Sequence, residues 1–353
     1  MKLAELKLQH FRNYAKRTFT FPQNTTIFVG PNAIGKTNIL EAIFFLAIGK
    51  SFRADRESEV ISYDSEIGRV KGRVCRVTED RTIENQDLEA VITTGFVVGQ
   101  KTPIKKYLVN GIARRSFDFA GNLTAVLFAP EDLDLVRGSP GLRRRYLDFI
   151  LMQTDREYRR CLHSYERGIR QRNRLLEKIR DGQATRNQLL FWDQLVIKNG
   201  CFISQEREKL IVAINQSHKP FGSFHIVYDH SYISEARLAQ YSQAEVAAAV
   251  TLVGPHRDDL KFFELERELA KFGSRGKQRL TILWLKLAEL EFIEKKTGER
   301  PLLLLDDIFS ELDHGHRAEV LKIVDKQQTL MTTTDIHFVP ENIVNKLEMV
   351  KLA

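Results

Sequence analysis

Short apolar runs recur along this chain of 353 residues, and they predict strands buried on both faces, as in a parallel sheet. Other runs in the first part of the chain also predict strands, and an Asn110–Gly111 pair among them favours a hairpin turn. The buried runs are "TTIFV" (25–29), "LTAVLFAP" (123–130), "PLLLLDD" (301–307) and "QTLMTTTD" (328–335). The other runs are "MKLAELKL" (1–8), "RTFTF" (17–21), "GRVKGRVCRV" (68–77), "LEAVITT" (88–94) and "IKKYLV" (104–109).

Helical spacing of apolar residues predicts most of the remaining elements. After the first buried run, such spacing predicts a helix that stops at Gly49. One long apolar stripe predicts a helix over 142–180, and a second helix follows over about 188–216. We interpret these two as a helical hairpin inserted into an α/β domain. Strands are then predicted at "SFHIVYD" (223–229) and "AAAVTLVG" (247–254), and a helix at 277–296.

The loop after the first buried run has the residue types of a phosphate-binding P-loop, in the required order of strand, loop and helix. Glycines let backbone N–H groups close around phosphate oxygens, and the helix N-terminus adds a favourable dipole. We therefore expect the chain to bind ATP, with Lys36 on the outer phosphates and Thr37 as a ligand of Mg²⁺. The predicted nucleotide-binding residues of this loop are Gly30, Pro31, Asn32, Ala33, Ile34, Gly35, Lys36, Thr37 and Asn38.

Two acidic residues at the end of the apolar run 301–307 are predicted to complete this site. Asp306 is expected to hold Mg²⁺ directly or through water, and Asp307 to orient or deprotonate the attacking water. Acidic residues at the start of a helix also stabilise the helix through its dipole, so they can occur there without a catalytic role. The presence of a P-loop in the same chain nevertheless favours the catalytic interpretation.

The order of the motifs narrows the class of nucleotide-binding protein. Lys36 and Asp306 are 270 residues apart, whereas simple kinases and GTPases place these two motifs much closer together. The succession of P-loop, insertion, serine–glycine segment, acidic strand and "SELD" (310–313) resembles the ABC ATPases. This resemblance implies that Ser274 faces the γ-phosphate held by the other subunit. A Ser–Gly helix start also forms an anion site on physical grounds.

Five motifs together resemble a narrower family over nearly the whole chain. In their order they are similar to the RecF family of DNA replication and repair proteins. The motifs are "FRNY" (11–14), "GPNAIGKTNILEAI" (30–43), "FAPEDLDLVRGSPGLRRRYLD" (128–148), "GPHRDDL" (254–260) and "LLLLDDIFSELD" (302–313).

The resemblance implies an α/β fold: an ABC-type ATPase head, in which helices flank a mixed sheet, with an inserted α-helical arm. We expect the head to comprise residues 1–138 and 246–353, and the arm 139–245. It also implies a weak, DNA-stimulated ATPase that forms an ATP-dependent homodimer on duplex DNA beside single-stranded gaps. Its expected partners are RecR and RecO, with which it would help to load RecA. By position in the motifs, Arg12 and Asn13 are expected to contact the nucleotide, and Asp313 to face the dimer partner.

Several positions depart from the general ABC pattern, so that fast hydrolysis is not implied. Asp307 is shorter than the Glu of that pattern, and His337 lies three residues beyond the switch position. The other departures are Arg275 and Lys277 in place of Gly and Gln, Thr334 in place of the transporters' switch His, and Glu131 and Asp132 in place of a Gln.

Three other functions fit these motifs less well. A nucleotide-binding subunit of a membrane transporter is the main alternative, but the missing switch His and the basic insertion count against it. An ATPase nuclease of the overcoming-lysogeny type would need a further nuclease domain after the acidic strand. "GPHRDDL" is not a kinase catalytic loop, because Phe263 stands where that loop needs Asn. We expect a buried ion-pair network at 256–259.

The positive charge is concentrated in the predicted arm. The chain carries a formal charge of +8, and residues 141–180 hold twelve Lys and Arg against five Asp and Glu. Basic residues three or four positions apart form one stripe on the first arm helix, which is typical of either a solvated face or a phosphate-backbone contact. The stripe comprises Arg156, Arg160, His163, Arg167, Arg170, Arg174 and Lys178, and a weaker candidate patch comprises Lys105, Lys106, Arg114 and Arg115.

The cysteines and the lengths of the apolar runs indicate the cellular compartment of the protein. Three cysteines show neither metal-ligand spacing nor a disulfide framework, which indicates buried thiols in a reducing compartment. No apolar core of a signal peptide and no run of membrane-spanning length is present in the sequence. We therefore expect a cytoplasmic protein without membrane contact.

Overall fold

The computed structural model describes residues 1–22, 24–77, 82–311, 314–338 and 347–352. The chain forms two compact units. Unit 1 comprises Met1–Asp132 and Ile293–Ala353, and unit 2 comprises Leu133–Phe292. The domain limits expected from the sequence, at 138/139 and 245/246, stay a prediction. Among the helices of these described ranges, none is long and apolar enough to cross a membrane.

The elements are numbered in chain order. The strands are β1 (Lys2–Phe11), β2 (Tyr14–Thr20), β3 (Thr25–Val29), β4 (Ile67–Val77), β5 (Ile83–Thr93), β6 (Phe96–Val97), β7 (Gln100–Lys101), β8 (Lys105–Val109), β9 (Ile112–Arg114), β10 (Ala125–Phe128), β11 (Phe224–Asp229), β12 (Asp259–Glu264), β13 (Arg267–Glu268), β14 (Leu302–Asp306), β15 (Thr329–Thr333) and β16 (Glu348–Lys351). The helices are α1 (Lys36–Ile48), α2 (Ser116–Phe119), α3 (Asp134–Arg137), α4 (Pro140–Thr154), α5 (Arg156–Arg180), α6 (Leu190–Gln216), α7 (Glu235–Ala248), α8 (Leu269–Phe272), α9 (Arg275–Thr297), α10 (Ile308–Glu311) and α11 (His314–Val324).

A five-stranded parallel sheet in unit 1 positions the predicted nucleotide site. Its order is β10-β14-β15-β3-β16, and every pair in it is parallel. All residues of β10, β14 and β15 are buried, which confirms the parallel sheet expected from the apolar runs. Because parallel strands end on the same edge, β3, β14 and β15 deliver the P-loop and the acidic residues to one place.

A six-stranded antiparallel sheet forms the second layer of unit 1. Its order is β2-β1-β4-β5-β8-β9, and the hairpin predicted at Asn110–Gly111 joins the last two strands, with φ angles of 52° and 76°. Helix α1 is buried along most of its length and contacts strands of both sheets. Gly72 permits this approach, because a Cβ there would lie 2.6 Å from Leu46 Cδ1. Gly49 ends α1 as predicted, with φ of 77°.

Unit 2 contains helices α4 to α7 and the antiparallel sheet β11-β12-β13. Helices α5 and α6 pack against each other and form the helical hairpin that the sequence predicts. The single helix expected over 142–180 is wrong, because Asp155 has extended backbone and its carboxylate caps a new helix by accepting from the N–H groups of Glu157 and Tyr158. The strand expected at 247–254 is also wrong, since α7 continues to Ala248.

Candidate functional site

The P-loop joins the end of β3 to the start of α1 in a backbone conformation that depends on glycine. Gly35 has φ of 108°, and a Cβ at this position would lie 2.5 Å from the side-chain amide of Asn13. Ala33 also has a positive φ, 65°. Pro31, Asn32 and Ala33 are exposed, so the predicted phosphate-binding backbone is accessible to a ligand.

Lys36 lies at the first position of α1, with its side chain turned back over the loop. Its Nζ donates to the carbonyl oxygens of Gly30 and Pro31, at 2.6 and 2.9 Å. Burial lowers the pKa of Lys36, while the charges of Asp307 and Asp306 act in the opposite direction. A cation is therefore held close to the charges of the predicted Mg²⁺ ligand Asp306 and the predicted catalytic acid Asp307, which is the arrangement expected of a phosphate-binding lysine.

Two hydroxyl groups hold the Asp306 carboxylate. Thr37 Oγ1 donates to Asp306 Oδ1 at 3.0 Å, and Thr332 Oγ1 donates to the same oxygen at 2.7 Å. Burial raises the pKa of Asp306, and both hydrogen bonds oppose that rise. The structure thus brings together Thr37 and Asp306, the two residues that the sequence assigned to Mg²⁺.

The next residue, Asp307, is fixed through its backbone. Its N–H donates to Thr332 Oγ1 at 3.0 Å, and its φ is 48°, a conformation that residues other than Gly adopt rarely. Thr332 therefore positions both acids, a role that the sequence analysis missed. The signal that could have found it was "TTTD", because β15 lies beside β14 and the ends of parallel neighbours meet.

The oxygen donors at this edge fit Mg²⁺ bound together with a nucleotide. Mg²⁺ prefers six oxygen ligands and usually takes only one or two from protein side chains, the others coming from phosphates and water. The Thr37 hydroxyl and the Asp306 carboxylate supply such a pair. Within the described ranges, no group of three or more His, Cys, Asp or Glu side chains is arranged to hold a metal ion.

Arg12, predicted as a nucleotide contact, is engaged by the protein itself. Its guanidinium makes a two-pronged ion pair with Glu41 of α1, at 2.8 and 2.7 Å, and also donates to the carbonyl oxygen of Glu59. Glu41 is fully buried and also accepts a hydrogen bond from Ser51. A contact of Arg12 with a nucleotide stays a prediction; the geometry shows that Arg12 anchors the turn after β1 to α1.

Asn13 connects this turn to the P-loop. Its Nδ2 donates to the carbonyl oxygen of Ile34 at 2.8 Å, and its Oδ1 accepts from Asn38 at 2.9 Å. Arg53 in turn donates to Asn38 Oδ1 at 3.3 Å, and its positive charge partly opposes the rise that burial causes in the pKa of Asp306. Arg53 was not predicted, since nothing in its local sequence distinguishes it from other exposed arginines.

In the ABC pattern a Gln stands at the position that Glu131 and Asp132 occupy here. This segment lies near Asp306. The charge of Glu131 raises the pKa of Asp306, and Asp132 Oδ2 accepts from the backbone N–H of Ala129 at 2.7 Å. Thr334, at the switch position, is half-buried after β15. Asp313, predicted to face a dimer partner, lies outside the described residues.

Ser274 belongs to unit 2 and caps helix α9. Its Oγ accepts from the backbone N–H of Lys277 at 3.3 Å, and Ser274 itself is exposed. Gln278 is buried and donates to the carbonyl oxygens of Leu269 and Gly273, which fixes the segment leading into the helix. The predicted serine–glycine helix start is therefore formed, and its contact with a nucleotide of another subunit stays a prediction.

The basic stripe lies along one exposed side of α5. The opposite side of the helix packs inward through Tyr158, Leu162, Tyr165 and Leu176. Arg172, which is not part of the stripe, is buried and paired with Glu245 and Asp193. The stripe residues are Arg156, Arg160, His163, Arg167, Arg170, Arg174 and Lys178. Their contact with DNA stays a prediction.

The weaker candidate patch is divided between the two faces of the antiparallel sheet. Lys105 Nζ donates to Gly49 O at 3.2 Å and to Glu57 at 2.9 Å, on the inner face. Lys106 follows directly and therefore lies on the opposite face. Arg114 is exposed on the edge strand β9.

The "GPHRDDL" segment forms the ion-pair network that the sequence predicts. Asp258 is fully buried, and its carboxylate accepts from Arg207, Tyr228 and the backbone N–H of Ser231. Arg207 also donates to Asp148 at 2.8 Å. The network therefore joins α4, α6 and the loop before β12 within unit 2.

Comparison with known proteins identifies relatives over almost the full length. The model of the RecF/RecN/SMC N terminal domain family matches residues 2–347. The DNA replication and repair protein RecF of Herpetosiphon aurantiacus is 38% identical over 372 aligned residues, which cover 98% of this chain and 97% of that protein. The protein of the same name from Natranaerobius thermophilus is 35% identical, with 95% and 92% covered.

Two solved structures share the fold. One, of the recombination mediator protein RecF–ATPrS in the RecFOR pathway, has a TM-score of 0.84 and 30% identity, and covers 96% of this chain and 94% of that chain. The other, of RecF–ATP in the same pathway, has a TM-score of 0.84 and 30% identity, with 94% and 92% covered. The ABC-type ATPase fold expected from the sequence is thereby confirmed.

Proposed function

Since this chain belongs to the RecF family of DNA replication and repair proteins, we propose that it binds ATP and Mg²⁺ at the P-loop site and uses ATP to close a homodimer on duplex DNA. The observation that carries the proposal is the hydrogen-bonded group of Thr37, Asp306 and Thr332 beside Lys36. It assembles a nucleotide site from three separate parts of the sequence. The similarity to structures described as RecF–ATP supports ATP as the nucleotide.

Each residue of the site has a part in nucleotide binding. Lys36 donates two hydrogen bonds to loop carbonyls, and phosphate oxygens would be stronger acceptors for the same ammonium group. Asp306 and Thr37 would hold Mg²⁺, which offsets the phosphate charge when bound. Asp307, fixed by its N–H bond to Thr332, would orient the attacking water. Its short side chain suits a slow ATPase, and we infer that DNA raises the rate.

DNA binding is assigned first to the stripe on α5. Seven basic side chains follow one side of a helix of 25 residues. The helix is about 38 Å long at 1.5 Å per residue, which is about one turn of B-DNA. Because the opposite side is buried, the stripe is accessible to a phosphate backbone without loss of packing.

The cellular role follows from the family. We infer that the closed dimer sits on duplex DNA next to a single-stranded gap and helps to load RecA, together with RecO and RecR. The description of the similar structures as a recombination mediator in the RecFOR pathway supports these partners. Membership of the RecF family argues against the transporter-subunit alternative.

Sedimentation velocity tests the central claim. Wild type, Lys36→Ala and the exposed-surface control Lys326→Ala are each run with and without ATP, Mg²⁺ and a gapped duplex. We expect wild type and control to dimerise and to co-sediment with the duplex only when ATP is present, and Lys36→Ala to stay monomeric and unbound. A wild-type protein that remains monomeric with ATP, or binds the duplex equally without it, would refute the proposal.

A further inference from the structure

The six-stranded sheet of unit 1 has a solvent-facing side that none of the motifs explains. Side chains alternate along its strands, so that Leu6, Leu8 and Val70 are buried on one side while charged residues occupy the other. We call the charged side the outer face. Its cations are Lys2, Lys7, Lys16, Arg69, Lys71, Arg73 and Lys106.

The strand register brings most of these cations into two neighbouring rows. Lys16 lies opposite Gln9, which lies opposite Arg69, across β2, β1 and β4. In the next row Lys7 lies directly opposite Lys71. Like charges in directly opposite positions are destabilising, and each lysine of this pair contacts a carboxylate, Lys7 that of Glu5 and Lys71 that of Asp87.

A shallow groove with a volume of about 270 Å³ runs through these rows. Lys7, Lys16, Arg69 and Lys71 line it, and Glu89 is the acidic residue among its lining groups. Gln9 and Thr18 add neutral donors to the lining. Lysine, arginine, threonine and glutamine are the residue types that contact phosphate in nucleic-acid complexes, whereas protein-docking sites usually have an apolar centre.

The carboxylates of the outer face do not balance its cations. Lys7 pairs with Glu5, Arg69 with Glu89, and both Lys71 and Arg73 with Asp87. Among the described residues of these strands, seven cations therefore face three paired carboxylates. The side chains of the paired cations are 39–48% exposed. Exposed ion pairs of this kind are worth only about 0–1 kcal/mol, so a phosphate could replace the carboxylates at little cost.

We propose that the outer face binds the phosphate backbone of DNA and forms a second contact, separate from the stripe on α5. The inference rests on the proposed function, because it assumes that DNA is a ligand of this chain. It assigns the unit that carries the ATP site a DNA contact of its own. Recognition there is independent of base sequence, since cations on a sheet read charge and spacing only.

The test compares two triple variants with equal charge. Lys7→Gln, Lys16→Gln and Lys71→Gln remove three cations of the outer face; Lys101→Gln, Lys326→Gln and Lys351→Gln remove three lysines elsewhere in unit 1. Affinity for a 30-base-pair duplex is measured with ATP at several salt concentrations. Each phosphate that is no longer neutralised should reduce the slope of log affinity against log salt by about 0.9. We expect a reduction of about 2 to 3 for the first variant relative to the control, with unchanged ATP affinity.

The outcomes separate the inference from the proposed function. If wild type fails to bind the duplex with ATP, the proposed function is wrong. If wild type binds and the two triple variants show the same slope and affinity, the outer face is not a DNA contact and the inference alone is overturned. Unaltered DNA binding combined with a weaker response to an acidic partner protein would overturn it too, and would assign the face to protein docking.

Discussion

At the scale of single residues, the predicted nucleotide site depends on Thr332, which is hydrogen-bonded to both Asp306 and Asp307. Thr332 Oγ1 donates to Asp306 and accepts from the Asp307 N–H, and Thr332 is buried. Thr26, on the neighbouring strand β3, is equally buried, yet its hydroxyl has no hydrogen-bond partner among the described residues. The two threonines therefore form a matched pair for mutation to the isosteric valine.

We expect Thr332→Val to weaken ATP binding in the presence of Mg²⁺ by about tenfold, since removal of one hydrogen bond to a charged group costs about 1.5 kcal/mol. Thr26→Val should leave affinity unchanged and leave stability equal or slightly higher, because it removes an unsatisfied buried hydroxyl. Titration with a fluorescent ATP analogue measures the affinities, and urea unfolding the stabilities. Equal ATP affinity in both variants would contradict the role given to Thr332.

A second prediction at the scale of single residues concerns His256 and the dependence of stability on pH. Its ring nitrogens bond to Tyr165 OH at 2.7 Å and to Thr251 O at 3.0 Å, and burial lowers its pKa to about 4. The unfolded chain, with a pKa of about 6.5, binds the proton more readily below that pH. Stability from this group is therefore complete above pH 6.5 and is lost as the pH falls towards 4.

Between pH 7.5 and 5.0, His256 should cost the wild type about 2 kcal/mol of unfolding free energy. His256→Gln lacks the titrating ring, so its stability, although lower at pH 7.5, should fall less over the same range. Urea unfolding of both proteins at the two pH values gives the difference. The same fall in wild type and variant would show that His256 titrates normally in the folded protein.

At the scale of elements, helix α5 separates packing from charge. Tyr158, Leu162 and Tyr165 fix it within unit 2, while the basic stripe lies on the exposed side. Charge can therefore be reversed there without disturbing the core. This property allows the DNA-binding role of the stripe to be tested independently of folding.

Reversing Arg167, Arg170 and Arg174 to Glu should weaken binding to all duplex sequences alike and reduce the salt slope by about 0.9 for each phosphate that the stripe no longer neutralises. Lys198→Glu with Lys209→Glu, on α6, is the control. ATP affinity and far-UV circular dichroism should stay as in wild type. A stripe variant that binds DNA like the control would mark the stripe as a solvated face.

The sequence predicted strands whose own residues indicate that they are buried. It did not predict contacts between residues that are far apart in the chain. Short runs dominated by apolar and β-branched residues indicated β10, β14 and β15, because strands buried on both faces do not alternate with exposed polar residues. The pairing of Arg12 with Glu41 lies beyond such reasoning, since it depends on how β1 and α1 meet. At Asp155 the signal was local but was missed, because the apolar stripe continues past this helix cap.

At the scale of the whole molecule, the proposed dimer divides each active site between two copies. If Ser274 contacts the γ-phosphate held by the other subunit, Ser274→Arg should leave ATP binding to the monomer unchanged and block dimerisation. A bulky cation at this exposed helix start would displace the donor groups. Equilibrium ATP binding and sedimentation velocity measure the two properties.

Ser274→Ala is the control, since it keeps the backbone N–H groups of the helix start and should dimerise more weakly but detectably. Mixing Ser274→Arg with Lys36→Ala should restore at most one composite site per dimer. Loss of ATP affinity in the isolated Ser274→Arg monomer would instead place Ser274 in the site of its own subunit.

The position of β3 in its sheet has a consequence for synthesis on the ribosome. Both neighbours of β3 are made late: β15 begins at Thr329 and β16 at Glu348. At about 5–20 residues per second, an apolar strand that precedes the P-loop waits on the order of 15–60 s for its first partner. The nascent chain thus exposes an unpaired strand edge, open to aggregation, until β15 has been made, and the hydrogen-bonded group of Thr37, Asp306 and Thr332 cannot be complete before then.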